Sequence, residues 1–241
     1  MKDERLTIRI GADELIISMK SPQTENGMQT ERYVLNKSIS AAANLRDAFT
    51  TSALLQGGST NALLLIDSDI MLIPLEEHQT DTDIETLYRH SFTLRTGEQL
   101  QSNIIQNLNV AAVFSVNKDL KMVVEDHFPD VSIMSVMEPV WQHTYKRAFS
   151  GVRTKLFTYF HDKQVSIFCF AHNRFRFNNT FAATYTDDAI YYILNVWKQL
   201  GLSAADDELH IIKGPETLIQ ELKQYVARIY EEGDDPKPLN H

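Results

Sequence analysis

The segment KLFTYFHDKQVSIFCFAHNRFRF, residues Lys155–Phe177, decides the fold of this chain. It contains three runs rich in Phe, Tyr, Val and Ile, the residues that fit the half-buried surface of a β-sheet. These runs are Lys155–Tyr159, Val165–Phe170 and Arg174–Phe177. Short polar breaks at Asp162-Lys163 and His172-Asn173 separate them and are typical of hairpin turns. The segment therefore predicts an antiparallel meander of three strands.

Aromatic residues at alternate positions of these strands predict one aromatic face. They are Phe157, Tyr159, Phe168, Phe170, Phe175 and Phe177. A helix follows at Asp187–Leu200, where Thr186 or Asp187 can cap its start and Gly201 ends it. Its apolar residues recur at three- and four-residue steps, and they are Ile190, Leu194 and Trp197, with Tyr191 beside them. We expect this helix to pack across the aromatic face.

The remainder of this half completes a β-β-β-α-β-α order. Leu209–Ile212 is a short apolar strand, and Gly214-Pro215 breaks it. Glu216–Tyr230 carries apolar residues at helical spacing and predicts a second amphipathic helix.

The first half follows the same order. Its strands are predicted at Leu6–Ile10, Leu15–Met19, Arg32–Leu35 and Ala62–Ile66, with a helix at Ser40–Gln56 between the last two. Farther on, Gly97–Asn109 reads as a polar connection and Lys118–His127 as a helix. We therefore predict a duplicated α/β protein with mixed sheets, comprising residues 1–150 and 151–232, followed by a frayed tail at 233–241.

Composition excludes several classes of protein. The 241 residues are 43% hydrophobic and 23% charged, which is ordinary for a globular protein. The formal charge of −9 without a basic stripe argues against nucleic acid as a partner. The charged start and the lack of a long apolar segment predict no secretory signal and no membrane insertion. The lone cysteine, Cys169, favours a reducing, cytoplasmic location.

Three motifs resemble a Bacteroidetes protein family of unknown function that has been placed in the actin-like ATPase superfamily. They are Arg176-Phe177-Asn178-Asn179-Thr180-Phe181, Asp187-Asp188-Ala189-Ile190-Tyr191-Tyr192 and Leu209-His210-Ile211-Ile212-Lys213-Gly214. The resemblance is diffuse elsewhere but covers most of the chain. It implies two ribonuclease-H-like, actin-type subdomains that face one another across a cleft, as in sugar kinases, actin, heat-shock ATPases and the cytoplasmic assembly proteins of type IV pili. It implies a fold and not an activity.

The resemblance also indicates where ATP and magnesium would bind. Active members hold phosphates on two hairpin turns that carry an acidic residue and glycine, and paired glycines adjoin the adenosine. The corresponding stretches here are Ile10–Glu14 with Gly11 and Asp13, Phe160–Lys163 without glycine, and Ile212–Pro215 with Gly214. Proline removes an amide donor from the last stretch. We expect no cofactor, and we name Gly11, Asp13 and Gly214 as the cofactor-binding residues if the chain does bind ATP.

No catalytic group or metal site is predicted. Asp67 and Asp69 could form a carboxylate pair on one strand face, but a polar kink between buried strands is the favoured explanation. His161 lies at a meander turn and is expected to be exposed. Phosphate-binding and nucleophile motifs of the common types are missing from the sequence.

Two functions from different classes remain open. The favoured one is a non-catalytic module in which an actin-like fold has lost nucleotide chemistry and binds an unknown protein partner. The alternative is an actin-like ATPase or phosphotransferase with unorthodox phosphate loops.

Overall fold

The computed structural model describes residues 5–24, 27–78, 83–171 and 174–233. The predicted break at His172-Asn173 and the predicted frayed tail, apart from Gly233, lie outside these residues. The chain forms two compact units. The first contains residues up to Gln106 together with Val110–Val136, and the second contains Asn107–Asn109 together with the chain from Met137 onward. The division at Met137 precedes the boundary predicted at residue 150, because the helix that begins there packs on strands of the second unit.

The elements of the first unit are, in chain order, β1 (Leu6–Ile10), β2 (Glu14–Lys20), β3 (Met28–Val34), α1 (Ala41–Thr51), β4 (Asn61–Ile66), β5 (Ile70–Pro74), α2 (Leu75–His78), α3 (Ile84–Ser91), β6 (Glu98–Ile105), β7 (Val110–Asn117), α4 (Lys118–His127) and β8 (Asp130–Ser135). Its main sheet has the order β3-β2-β1-β4-β8. The first three strands pair antiparallel, whereas β4 pairs parallel with both β1 and β8. Leu6 and Ile8 of β1 share a buried core with Leu45 of α1 and Leu120 of α4.

A smaller sheet of order β5-β7-β6 is inserted between β4 and α4. Ile73, Tyr88 and Val113 form its buried core. The prediction of a polar connection at Gly97–Asn109 is wrong, because β6 occupies Glu98–Ile105 and pairs antiparallel with β7. An edge strand needs little apolar surface, and for that reason its sequence reads as a loop.

The elements of the second unit are α5 (Met137–Ala148), β9 (Lys155–His161), β10 (Gln164–Ala171), β11 (Arg174–Ala182), α6 (Thr186–Gln199), β12 (Glu208–Ile212), α7 (Glu216–Leu222) and β13 (Ile229–Glu232). The sheet order β11-β10-β9-β12-β13 repeats that of the first unit, with the same antiparallel and parallel pairings. The predicted duplicated order is therefore present in both units.

The helix predicted at Glu216–Tyr230 is too long. α7 ends at Leu222, and Ile229 begins β13, which pairs in parallel with β12. Val226, between the two elements, is still buried in the core. Because Val226 is apolar and buried, the sequence continues the helical spacing of apolar residues beyond the point where the helix ends.

The sheet of the second unit buries both faces. α6 packs through Ile193 and Trp197 on the face that carries Leu156, Val165 and Ile167. The prediction that α6 covers the aromatic face is therefore wrong. α5 packs on β9 and β10 instead, and its side chains contact that face, where the rings of Phe157 and Phe168 stack with centroids 5.4 Å apart.

A β-bulge divides the predicted aromatic face at its edge. Phe170 pairs with Phe175 and Cys169 with Phe177, so Arg176 is the extra residue. One inserted residue reverses the alternation of side chains. Phe175 accordingly contacts Trp141 of α5, whereas Phe177 joins the core beneath α6.

Candidate functional site

The β1–β2 turn carries Gly11 and Asp13. The Gly11 amide donates to the Glu14 carbonyl at 2.9 Å, and the Asp13 carbonyl accepts from the Leu35 amide at 3.0 Å. The Asp13 carboxylate lies 2.5 Å from Nζ of Lys37, and both side chains are exposed. The structure therefore brings the two residues together in one turn, where the glycine amide closes the hairpin and a lysine contacts the carboxylate.

The β9–β10 turn has two central residues and no glycine. Asp162 and Lys163 both adopt positive φ, 44° and 61°, as a type I′ hairpin requires. Ahead of the turn, His161 is buried, stacks on Tyr159 and bonds through Nε2 to Oγ of Ser166 at 3.0 Å. The expectation that His161 is exposed is wrong, because the strand extends two residues beyond the predicted end and carries the ring into the sheet.

The β12–α7 turn contains Gly214. A Cβ atom on this glycine would lie 2.3 Å from Cγ2 of Ile211 and 3.5 Å from both Leu218 and Phe160. Close packing within the second unit therefore requires glycine here. Pro215 follows as the residue before α7 and offers no amide donor.

The polar kink Asp67-Ser68-Asp69 joins β4 to β5. Ser68 donates its hydroxyl to the Ser115 carbonyl at 3.0 Å, and the Tyr88 hydroxyl donates to the Asp69 carbonyl at 2.9 Å. Through a serine side chain and a backbone carbonyl, these bonds tie the kink to β7 and to α3.

A group of polar and charged side chains, the His210 cluster, lies on the face of β12 that α5 covers, and all of its members except the exposed Arg147 are largely buried. It comprises Arg147, Lys155, Glu208, His210 and Glu232. The ring nitrogens of His210 lie 2.6 Å from a Glu232 oxygen and 3.1 Å from a Glu208 oxygen. Arg147 bonds to the second Glu232 oxygen, and Lys155 lies 3.7 Å from Glu208. The cluster ties β12 and β13 to α5.

The charge balance of this cluster controls the ionisation of Glu232. Burial alone would raise the pKa of its carboxyl group. The hydrogen bond with His210 and the positive charge of Arg147 outweigh burial and hold the pKa of Glu232 below its ordinary value.

The Asn-Thr-Phe motif lies on β11, at one edge of the sheet. The side-chain oxygen of Asn179 accepts from the Thr180 amide at 2.9 Å. The Thr180 hydroxyl bonds to Ser166 at 2.8 Å, and the ring of Phe181 stacks on that of Tyr192 with centroids 4.5 Å apart. Each residue of the motif thus has a contact that organises this edge.

The Asp-Asp-x-x-Tyr-Tyr motif begins α6. Asp188 accepts from the Tyr185 amide at 3.2 Å, so the helix is capped one residue earlier than predicted. Tyr192 packs on Phe181, whereas Tyr191 is 65% exposed and Tyr185 73% exposed. Tyr191 was predicted beside the core. Its position is two residues from both Ala189 and Ile193, which are buried, and this spacing could have placed it on the outer face.

These tyrosines follow β11 closely in the chain, and we call the strand together with them the β11 edge surface. It comprises β11 together with Tyr185, Tyr191 and Tyr192. The Tyr191 and Tyr192 rings meet edge to face at 5.4 Å, and Tyr192 continues the contact to Phe181. An aromatic row that ends in an exposed ring beside a sheet edge is able to bind a protein or peptide.

A family model described as "Protein of unknown function (DUF3822)" matches residues 1–229. The chain belongs to the DUF3822 family. This DUF3822 protein is also similar to a solved Bacteroides thetaiotaomicron protein described as having an actin-like ATPase fold and unknown function. The two share 27% identity, with a TM-score of 0.84 over 96% of this chain and 91% of that one.

Two more distant structures resemble the DUF3822 protein in fold. A structure described as the PilM–PilN type IV pilus biogenesis complex matches with a TM-score of 0.56 and 10% identity, over 95% of this chain and 88% of that one. The ethanolamine utilization protein EutJ from Carboxydothermus hydrogenoformans matches with a TM-score of 0.51 and 7% identity, over 97% and 85%. No curated protein sequence matches significantly.

The actin-like fold and the family resemblance predicted from the sequence are thereby confirmed. Among the described residues of the DUF3822 protein, no helix combines the length and the apolar character that crossing a membrane would require.

Proposed function

We propose that this DUF3822 protein is a non-catalytic interaction module that uses an actin-like fold to bind another protein. The observation that carries the proposal is the exposure of Tyr185 and Tyr191, at 73% and 65%, beside an open sheet edge. Tyrosine is enriched at protein interfaces because it offers a large, rigid contact area with a polar end.

The nucleotide-binding positions support the same proposal. Phosphate recognition requires backbone amides that a phosphate can approach closely. The Gly11 amide is bonded within its own turn, and the Asp13 carboxylate contacts Lys37. Gly214 is enclosed by Ile211, Leu218 and Phe160. At each position a contact within the unit accounts for the residue.

The comparison with the type IV pilus biogenesis complex adds support from fold alone. That structure is described as a complex of two proteins, PilM and PilN, in type IV pilus biogenesis. An actin-like fold can therefore take part in a protein assembly. We extend to the DUF3822 protein only the class of activity, which is binding of a protein partner.

Site-specific photo-cross-linking in the native host tests the proposal. A photoreactive residue at Tyr191 should trap one defined protein partner, identified by mass spectrometry. Tyr225 is the matched control, because it is an exposed tyrosine of the same unit that lies outside the β11 edge surface. A Tyr185→Ser/Tyr191→Ser variant should lose co-purification of the trapped protein, whereas Tyr225→Ser should keep it. The proposal would be contradicted if the photoreactive residue trapped the same proteins at Tyr191 and Tyr225, or trapped no protein at either position.

Calorimetric titration with magnesium-ATP tests the alternative function. We expect no binding with a dissociation constant below about 1 mM, which corresponds to about −4.1 kcal/mol. Micromolar binding that disappears in Asp13→Ala would establish an ATPase or phosphotransferase in place of the interaction module. Micromolar binding that Asp13→Ala leaves unchanged would also refute a nucleotide-free module.

We also propose a cytoplasmic location. Its support is the single, buried thiol of Cys169, which forms no disulfide within the chain. Fractionation of the native host should recover the protein with the cytoplasmic proteins, and recovery in a periplasmic or extracellular fraction would refute this part of the proposal.

A further inference from the structure

β11 ends the sheet of the second unit and is nine residues long, whereas β13 at the opposite edge has four. The amide of Ala183 donates to Lys163 at the start of β10, at 2.8 Å. In an antiparallel pair, alternate residues point their amides toward and away from the partner strand. Asn178, Thr180 and Ala182 therefore direct their backbone amides and carbonyls to the open side of β11.

One of these outward amides, that of Thr180, already donates a hydrogen bond to an acceptor that another strand could replace. The Thr180 amide is bonded to the side chain of its neighbour Asn179, and both residues are exposed. A carbonyl group of an added strand would present the same kind of acceptor at the same position. Because one acceptor replaces another, binding would leave the Thr180 amide satisfied.

The positive charge along this edge favours an added strand of negative charge. Arg174 and Arg176 are exposed, and the sequence from residue 174 to residue 186 contains no acidic residue. The guanidinium of Arg176 is also bonded to the Leu200 carbonyl at the end of α6, which holds it beside the strand. A local positive charge on a chain of net charge −9 favours an acidic segment from another protein. Repulsion between two such acidic chains disfavours a second copy.

The aromatic row supplies the apolar part of the surface. It leads from Phe181 of β11 through Tyr192 to the exposed ring of Tyr191. Alternate side chains of an added strand point to one face of the sheet, and on that face they would adjoin this row. An alternating acidic and aliphatic segment matches both features.

We propose that β11 binds an extended, acidic segment of a partner protein as an added strand, with aliphatic side chains against the aromatic row. This inference rests on the proposed interaction function and specifies its mode of binding. Backbone pairing supplies the affinity, and the arginines and aromatic rings supply the specificity.

The test uses the full chain and a fluorescein-labelled peptide of nine alternating valine and glutamate residues. Fluorescence anisotropy should show saturable binding that weakens as salt rises. The same peptide with lysine in place of glutamate should bind at least about tenfold more weakly, because its charge is reversed. In hydrogen exchange, the glutamate peptide should slow exchange at Asn178, Thr180 and Ala182.

Two variants and a matched control locate the site. Ala182→Pro removes one outward amide without breaking the pair with β10, and proline is tolerated at such edge positions. Arg174→Glu/Arg176→Glu reverses the charge. Each variant should weaken peptide binding by about tenfold or more, whereas Arg46→Glu, an exposed arginine of α1 in the first unit, should change it less than about twofold. If circular dichroism shows that Ala182→Pro fails to fold, the charge-reversal variant decides the result.

Equal binding of both peptides, or protection outside β11, would overturn the proposal. Concentration-dependent dimerisation that protects β11 would assign the edge to a second copy and overturn it as well. If photo-cross-linking at Tyr191 still traps a partner while the peptide fails to bind, the interaction function stands and strand addition is refuted. If the peptide binds but photo-cross-linking traps no partner, the cross-linking result refutes the proposed interaction function.

Discussion

Gly214 leaves room for no side chain beside Ile211, since a Cβ atom on the glycine would lie 2.3 Å from Cγ2 of the isoleucine. Ile211 is fully buried in the core beneath α6 and α7, and its Cγ2 methyl is fixed by branching at Cβ. Packing therefore accounts for this glycine, which the sequence indicates as a nucleotide-binding residue only for the case that the chain binds ATP.

Gly214→Ala should destabilise the protein by about 1–3 kcal/mol, the usual range for an overpacked core. Urea denaturation followed by tryptophan fluorescence measures the change. Gly233→Ala is the control, because a Cβ atom there meets no neighbour within 4 Å, and it should change stability by less than about 0.5 kcal/mol. An unchanged midpoint for Gly214→Ala would show that the turn is loosely packed.

Trp197→Ala should cost about 3–5 kcal/mol, because the ring is buried between α6 and the sheet. Tyr191→Ala removes an exposed aromatic residue from the same helix and should cost less than about 0.5 kcal/mol. Urea denaturation followed by circular dichroism compares them, since loss of Trp197 also removes a fluorophore. A loss below about 1 kcal/mol for Trp197→Ala would contradict its place in the core.

The stability of the second unit should depend on the ionisation of Glu232. Its folded pKa is below the ordinary value of 4.5, so the charged form stabilises the fold above about pH 4.5. This contribution is lost as the pH falls through the folded pKa. The direction follows from the bonds that His210 and Arg147 make to the carboxylate.

Glu232→Gln should therefore lower stability at pH 7 by about 1.5–3 kcal/mol, the range for hydrogen bonds to charged groups. The difference from the native protein should shrink as the pH is lowered below 4.5, where protonated glutamate and glutamine are alike in charge. Urea denaturation at several pH values checks this, followed by the fluorescence of Trp141 and Trp197, which both belong to the second unit. Glu221→Gln, at an exposed position on α7, is the control. A difference that is independent of pH would refute the assignment.

Cys169 should resist thiol reagents in the folded protein. Burial raises the pKa of its thiol to about 11, so about one thousandth of it is thiolate at pH 8. Labelling with a chromogenic disulfide should proceed in urea and be slow without it. Val152→Cys in a Cys169→Ser background is the control, because position 152 is fully exposed and should react at once. Rapid labelling of native Cys169 would show that β10 opens readily.

The sequence alone determined the repeated order of elements. Alternating apolar residues identify β1 and β9, helical spacing identifies α4, and Asp162-Lys163 identifies the turn between β9 and β10. Each of these patterns spans a few consecutive residues. It follows the side-chain period of a strand or a helix, which local backbone geometry sets. The candidate positions Gly11, Asp13 and Gly214 could also be named from the sequence, because turns have local signatures.

Only the tertiary structure decided which surfaces meet. Both faces of the sheet in the second unit are apolar, so the alternation of side chains in the sequence does not show which helix covers which face. In the structure, α5 covers the aromatic face and α6 covers the other. The bulge at Arg176 and the strand β6 depend on how neighbouring strands pair. Gly214 is explained by its packing against Ile211, Leu218 and Phe160 and not by its own φ. Local sequence patterns determine whether a segment forms a strand or a helix. Contacts between elements determine which elements pack together, because the burial of a residue depends on the whole chain.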